Sequence, residues 1–274
     1  MITRRTFLTC AATAGVGLMT AGGGFVLSGC TPSEDILRVG TKIDVPGFGF
    51  QNPATGNLEG LEVDIARELA RRLKGSEDAL ELTGVNVTTR GAMLDNGTLD
   101  AVLATFSITP QRQRSYAFSS PYYIDHLGIL VKKDAGFTGF ASLDGKRIGV
   151  ALSATSRQTL QDAADKAGMQ LSFAEYSTYP EIKIALVAGR VDAFSVDASI
   201  LNGYVDSQTM LLPVTLAPQS YGVASSLDNP ELAGAINNAI AAMEADGTLS
   251  SLKQTWNLSQ ETDPNAALGG EQYV

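Results

Sequence analysis

The stretch "LDNGTLDAVLATFSI" at residues 94–108 returns 92 residues later as "LVAGRVDAFSVDASI" at residues 186–200. Each copy runs through an apolar helix end, a glycine, an apolar residue, Asp-Ala, a strand-forming run and a closing Ser-Ile. Glycine just past a helix takes the left-handed backbone that ends it cheaply. A short apolar run bounded by such turn signals reads as a buried strand. The period is too long for a solenoid, whose repeats span roughly 20–50 residues, and it predicts two similar lobes. The length of 274 residues agrees, since single domains usually hold about 100–200. Setting the copies in register aligns Thr105 with Asp197, each at the C-terminal end of its strand. Open α/β sheets bind their ligands there.

Outward from this pair, strands and helices alternate. Strands are predicted at residues 36–40, 80–85, 99–104, 127–131, 147–150, 171–175 and 191–196. Behind Gly60, the apolar residues Val63, Ile65, Ala66, Leu69, Ala70 and Leu73 recur at helical spacing. Further helices are predicted at 156–167, 180–188, 230–245 and near Trp256. The alternation predicts an α/β fold with mainly parallel sheets.

The N-terminus reads separately. "TRRTFL" at residues 3–8 gives a paired-arginine start, and a glycine-rich apolar segment leads from it to "LSGC" at 27–30. Such a segment is a poor bilayer-spanning helix and reads as a signal peptide over residues 1–29. "LSGC" looks like a lipobox, which would make Cys30 the lipid-bearing first residue of an exported lipoprotein with a polar tether at 30–35. Twin-arginine and general secretory export both stay open. Cys10 and Cys30 are the two cysteines, so the exported part has no pair for a disulfide or a metal site. No cofactor is expected.

The balance of 20 basic against 29 acidic residues, a net charge of −9, lacks the basic stripe that nucleic acid requires. His126 is the single histidine, so Ser-His-Asp, Cys-His and histidine-rich metal sites all lack parts, and an enzyme is not expected. A carboxylate-only mechanism would need an acid of raised pKa in the cleft.

Charged residues at strand ends are the candidates for binding. In "SITPQRQR" (107–114), Thr109 suits an N-cap and Pro110 the first helical position, which predicts Arg112 in a first helical turn. A cation there opposes the helix dipole. An anion lying across the strand end would resolve the conflict, and a surface salt bridge is the plainer alternative. Asp197 would either meet a cation or cap the helix that follows. Lys42, after the first strand, and Arg90, before "GAMLD", could be solvated loop charges.

Long parts of residues 37–256 resemble the polar amino-acid-binding proteins of ABC importers, solute-binding protein family 3. The likeness is carried by "GTKIDVPGFGFQNPATGNLEGLEVDIARELA" (40–70), "TRGAMLDNGTLDAVLATFSITPQRQRSYAFSSPYY" (89–123), "GKRIGVALSATS" (145–156), "GRVDAFSVD" (189–197) and "ELAGAINNAIAAMEADGTLSSLKQTW" (231–256). "TKIDVPGFGF", "TRGAMLDNG", "ATFSITPQR" and "YSTYPEIKIAL" place it nearest the aspartate/glutamate-binding subgroup. The resemblance implies a two-lobed type II periplasmic-binding-protein fold with two crossovers. One lobe would hold residues 36–124 plus 223–258 and the other 125–222, with a tail at 259–274. It makes Arg112 the partner of a ligand α-carboxylate, with Ser107 and Thr155 as further donors. Asp197 would receive the α-ammonium, shared by the Ala104 carbonyl, with Thr105 alongside. Lys42, Arg90 and Tyr179 would face the ligand side chain. Val87 and Thr88 stand where the family has an aromatic residue.

Arg112 and Asp197 neutralise each other and the head of any α-amino acid, so selection falls to Lys42 and Arg90, a surplus of two positive charges that an acidic side chain would answer. The implied function is capture of glutamate or aspartate between closing lobes. A monomer tethered by its lipid, in the periplasm or on the outer face of the cell membrane, would deliver this ligand to an ABC permease and its ATPase. Glutamine binding, a dehydratase and a sensory receptor on the same fold are the alternatives.

Overall fold

The computed structural model describes residues 36–258. The expected signal peptide, Cys30 with its tether, and the tail at 259–274 lie outside the described residues.

The chain opens with β1 (Leu37–Lys42), a three-strand meander of β2 (Asp44–Val45), β3 (Gly49–Gln51) and β4 (Leu58–Glu59), and α1 (Leu61–Lys74). β5 (Leu80–Val85), α2 (Arg90–Asp95), β6 (Ala101–Leu103) and β7 (Tyr116–Phe118) follow. The ten-residue β8 (Tyr123–Lys132) leads into β9 (Arg147–Ala151), α3 (Ser156–Ala167), β10 (Ser172–Tyr176), α4 (Tyr179–Val187), β11 (Ala193–Asp197), α5 (Ala198–Asn202) and β12 (Thr209–Leu211). β13 (Pro218–Tyr221), β14 (Ala224–Ser226), α6 (Pro230–Ala245) and α7 (Thr248–Thr255) complete it.

Two sheets organise these elements, one in the order β5-β1-β6-β14-β7 and the other β10-β9-β11-β8-β12. The sequence echo is visible in their pairing. β1 lies parallel to β5 and β6, β9 lies parallel to β10 and β11, and each trio gains an antiparallel neighbour, β14 in one and β8 in the other. Parallel strands covered by helices on both faces are mostly apolar, and β6 and β11 are buried at every residue, the polar Ser195 and Asp197 of β11 included. Two strands carry the chain between the sheets. The start of β8 pairs with β13, Tyr123 opposite Tyr221 and His126 opposite Pro218, before the rest of β8 joins β11 and β12.

Local signals place the helices. α4 begins in a capping box, the Thr178 hydroxyl accepting from Glu181 N–H while Glu181 reaches back to Thr178 N–H. α6 starts with Asn229 as cap and Pro230 in the first turn. α1 buries Leu61, Val63, Ile65, Ala66, Leu69 and Ala70, and Glu62 with them.

The start of α1 runs against the meander, where Leu61 and Glu62 N–H donate to the Gly47 and Phe48 carbonyls, both at 2.9 Å. Gly60 holds φ 129° there, and a Cβ on it would come within 2.1 Å of the Phe48 oxygen. Gly60→Ala should therefore cost about 1–3 kcal/mol. Differential scanning calorimetry should show Tm falling by roughly 2–10 °C.

Candidate functional site

The predicted residues gather where the ends of β1, β6 and β11 meet the start of α4. Thr105, just past β6, has left-handed backbone at φ 44°, an uncommon state for a β-branched residue. Its N–H donates to Glu62 Oε1 at 2.5 Å, and the Tyr122 hydroxyl donates to the same oxygen. Glu62 Oε2 is buried and has no hydrogen-bond partner among the described residues. Burial pushes the Glu62 carboxyl up to about 7, against the pull of its two hydrogen bonds and of Arg90 and Lys42.

Arg90, the first residue of α2, is buried and turns Nη1 onto the Ala104 carbonyl, with the Thr105 carbonyl at 3.4 Å. The ammonium partner expected of Ala104 is thus already an arginine acceptor. Lys42, fully buried at the end of β1, pairs with Asp44 at 2.8 Å and lies over the Tyr179 ring, 4.4 Å from its centroid. Burial lowers the Lys42 and Arg90 pKa values and raises that of the Tyr179 hydroxyl. Tyr179 reaches this cation from the first residue of α4.

Arg112 corrects the sequence reading of its surroundings. The Thr109 hydroxyl does accept from Arg112 N–H at 3.1 Å, but the turn is a three-residue 3-10 helix, Arg112–Arg114. So short a turn has no macrodipole to oppose. The guanidinium spans the cleft instead, giving Nη1 to the Ser107 carbonyl at 2.8 Å and Nη2 to the Ser153 carbonyl at 2.9 Å. Ser153 has left-handed backbone, φ 58°. Burial, helped by the neighbouring Arg90, brings the Arg112 pKa down to about 9. Phe106 lies beneath both arginines, 4.1 Å from Arg90 and 4.6 Å from Arg112. It gives the site an aromatic ring that Val87 and Thr88 do not.

Asp197 occupies the N-cap position of α5 but makes no side-chain cap bond. Its Oδ2 accepts the Tyr221 hydroxyl at 2.5 Å, and its buried Oδ1 has no hydrogen-bond partner among the described residues. Asp125 sits behind it, accepting from His126 N–H at 2.7 Å, Ser199 N–H at 3.1 Å and the Tyr221 hydroxyl at 3.4 Å. Burial raises both carboxyl pKa values, and the charge of Asp197 raises that of Asp125 further. Thr155 starts α3 and donates its hydroxyl to Gln219 Oε1 at 2.8 Å. Thr155, Ser153, Arg112, Gln219 and Tyr116 line an outer cleft of about 780 Å³.

Contacts between the two sheet bodies surround the cluster. The Tyr204 hydroxyl donates to the Asp44 carbonyl at 2.5 Å, and a Cβ on Gly203 would come within 3.0–3.1 Å of the Pro46 ring. The charge count also changes. Beside Lys42, Arg90 and Arg112 stand Asp44, Glu62 and Asp197, so the two-charge surplus expected from sequence disappears when all six ionise. Glu62 could have been noticed as an acid on the apolar stripe of α1. No local signal marks Tyr221, Phe106 or Asp125.

This geometry has relatives. Residues 37–259 match the family model of the bacterial extracellular solute-binding proteins, family 3, and the chain belongs to that family. A glutamine-binding protein of Geobacillus stearothermophilus is 34% identical over 74% of this chain and 77% of its own length. The glutamate-binding protein GluB of Corynebacterium glutamicum is 32% identical over 96% of this chain and 94% of its own. The solved structure of an ancestral arginine-binding protein bound to arginine superposes with a TM-score of 0.73 at 30% identity, covering 82% of this chain and 99% of that one. The likeness establishes the two-lobed type II periplasmic-binding-protein fold, with β8 and β13 as its crossovers.

Tyr221 holds Asp197 in its charged form by donating to it. In Tyr221→Phe the Asp197 pKa should rise further, so binding of an ammonium group should set in at higher pH. A charge-assisted hydrogen bond is worth about 1.5–3 kcal/mol. Calorimetric titration with the ligand near pH 7 should show affinity weakened by roughly tenfold to a hundredfold on that scale.

Proposed function

We propose that this family-3 chain is the binding component of an ABC importer for an acidic α-amino acid, glutamate or aspartate. The observation that carries the reading is Asp197, a buried carboxylate with one oxygen held by Tyr221 and the other without a hydrogen-bond partner, within electrostatic reach of Arg112. A zwitterionic head fits between such groups, its ammonium on Asp197 and its carboxylate on Arg112 with Ser107 and Thr155 nearby. Arg112 would exchange a carbonyl bond for a charge-assisted one. Lys42, Arg90 and Tyr179 would then face the ligand side chain, with Ala104 and Thr105 forming the floor.

Relatives named for glutamine and for glutamate support an amino-acid ligand. Glutamine is the second reading, favoured by the acids that balance the site, Asp44 and Glu62. In the proposed cycle, residues 36–124 with 223–258 and residues 125–222 close as two lobes on the strand pair β8 and β13. The closed form, a monomer tethered through lipid on Cys30, hands its cargo unchanged to the permease.

Thermal denaturation of the purified protein with each of the twenty amino acids tests this. True ligands at a hundred times their Kd should stabilise by about 2.7 kcal/mol. Glutamate or aspartate should raise Tm and Arg112→Ala should abolish the rise, while Arg90→Ala should narrow the gap between acids and their amides. No shift with any amino acid, or chemical turnover of the bound one, would overturn the proposal.

A further inference from the structure

Recognition of the amino-acid head makes no use of Glu62. This carboxylate stands on the buried stripe of α1, among the apolar residues Leu61, Val63 and Ile65. Both of its hydrogen bonds, from Thr105 N–H after β6 and from the Tyr122 hydroxyl before β8, converge on Oε1. Oε2 is enclosed and has no hydrogen-bond partner among the described residues. The charged groups that act on it are Arg90 from α2 and Lys42 from β1, the two cations that face the proposed ligand side chain. Lys42 is already matched by Asp44. Arg90 is left with Glu62 and with Asp197, the carboxylate proposed for the ligand ammonium, so once a ligand takes Asp197 the charge of Glu62 sets the balance around Arg90.

The consequence depends on the ligand. With Glu62 ionised, Lys42, Arg90 and Arg112 are balanced by Asp44, Glu62 and Asp197, and a zwitterion with an uncharged side chain leaves that balance intact. A dicarboxylic amino acid would add a negative charge with no partner in a closed, dry cleft, which is unfavourable. One proton on Oε2 removes the conflict. It turns the atom into a donor and leaves Oε1 free to accept both existing bonds.

We propose that Glu62 is a specificity-determining residue whose protonation is coupled to the ligand, so that an acidic amino acid binds together with one proton and its amide binds with none. The balance is one protein, one ligand anion and one solvent proton giving one complex. This deepens the proposed function and rests on its reading of the ligand class. Burial already holds the Glu62 carboxyl near the neutral range, at about 7, so the proton is available under ordinary conditions.

The sign follows from linkage. Above the pKa of Glu62 in the ligand-free protein, the complex with the acid holds one more proton than its reactants, and affinity for the acid falls with rising pH, by up to about tenfold per unit. Asp197, Arg112 and Asp125 behind them act on the head common to both ligands and cancel in a ratio, whereas Lys42 faces the side chain and its contribution is separated from that of Glu62 by Glu62→Gln. The experiment is isothermal titration of the full protein with glutamate and with glutamine from pH 6 to 8.5, in pairs of buffers of different ionisation enthalpy. The ratio of Kd for glutamate to Kd for glutamine should climb above about pH 7, with uptake approaching one proton for glutamate and none for glutamine. Glu62→Gln keeps the acceptor for Thr105 and Tyr122, and in it the ratio should become flat and move toward glutamate. Equal proton uptake for the two ligands, or a flat ratio in the unmutated protein, overturns the inference and leaves the proposed function standing. Binding of neither ligand overturns the proposed function itself. The proton count comes from the unmutated protein, so equal uptake overturns the inference even if Glu62→Gln does not fold.

Discussion

Charge burial is the constraint from which this structure follows. Lys42 and Glu62 are fully enclosed, and Arg90 and Asp197 are nearly so. Each would lose several kcal/mol of hydration without compensation. The protein therefore surrounds them with one another and with main-chain carbonyls. Arg90 takes those of Ala104 and Thr105, and Arg112 takes those of Ser107 and Ser153. The unusual backbone at Thr105 and Ser153 belongs to this arrangement, since it sets the groups that meet Glu62 and Arg112. Backbone strain of this kind costs about 1–3 kcal/mol per residue and persists where surrounding contacts over-determine it.

The same groups tie the site to the strands that join the lobes. Tyr221 ends β13, stacks on Tyr123 of β8 with ring centroids 5.9 Å apart, and donates to Asp197. Phe48 packs edge-on against both rings. A change in the angle between β8 and β13 would move the hydroxyl that keeps Asp197 charged. If Asp197 takes the ammonium as proposed, recognition and the geometry of these strands are connected through one side chain, the condition under which a ligand can shift a population toward closure.

The repeat and the alternation of apolar runs made the sheets legible, and β5, α3 and α6 lie where their periodicity puts them. β6 spans Ala101–Leu103 within the expected 99–104, and at its C-terminal end Ala104 leaves the ladder and turns its carbonyl to Arg90. Asp197 was legible as a strand-end carboxylate, although choosing between capping and binding required seeing that its oxygens turn toward Tyr221. Arg112 drew notice through a helix that turns out to be a single short turn. The rest of the site was hidden for a physical reason. Tyr221 and Asp125 come from strands 96 residues apart in sequence, and nothing in a local window reports a long-range hydrogen bond. The two-charge surplus expected from sequence fails in the same way, because nothing in a local window places Asp44 beside Lys42 or Glu62 within reach of Arg90.

Asp44 shows how recognition and closure can draw on one residue. Its carboxylate pairs with Lys42, while its carbonyl accepts the Tyr204 hydroxyl from the segment that follows α5. Lys42 in turn lies over Tyr179. A ligand group that drew Lys42 away from Asp44 would leave that carboxylate without its cation beside the Tyr204 hydrogen bond, and the latch would bear part of the cost. A ligand that left the Lys42 pair intact would keep the latch undisturbed. Under the proposed cycle, selectivity would then be expressed partly as stability of the closed form and not only as contact energy. The overall negative charge does not oppose this, because distant surface charges are screened beyond about 8 Å at physiological salt, while the six charged groups of the site lie close to one another.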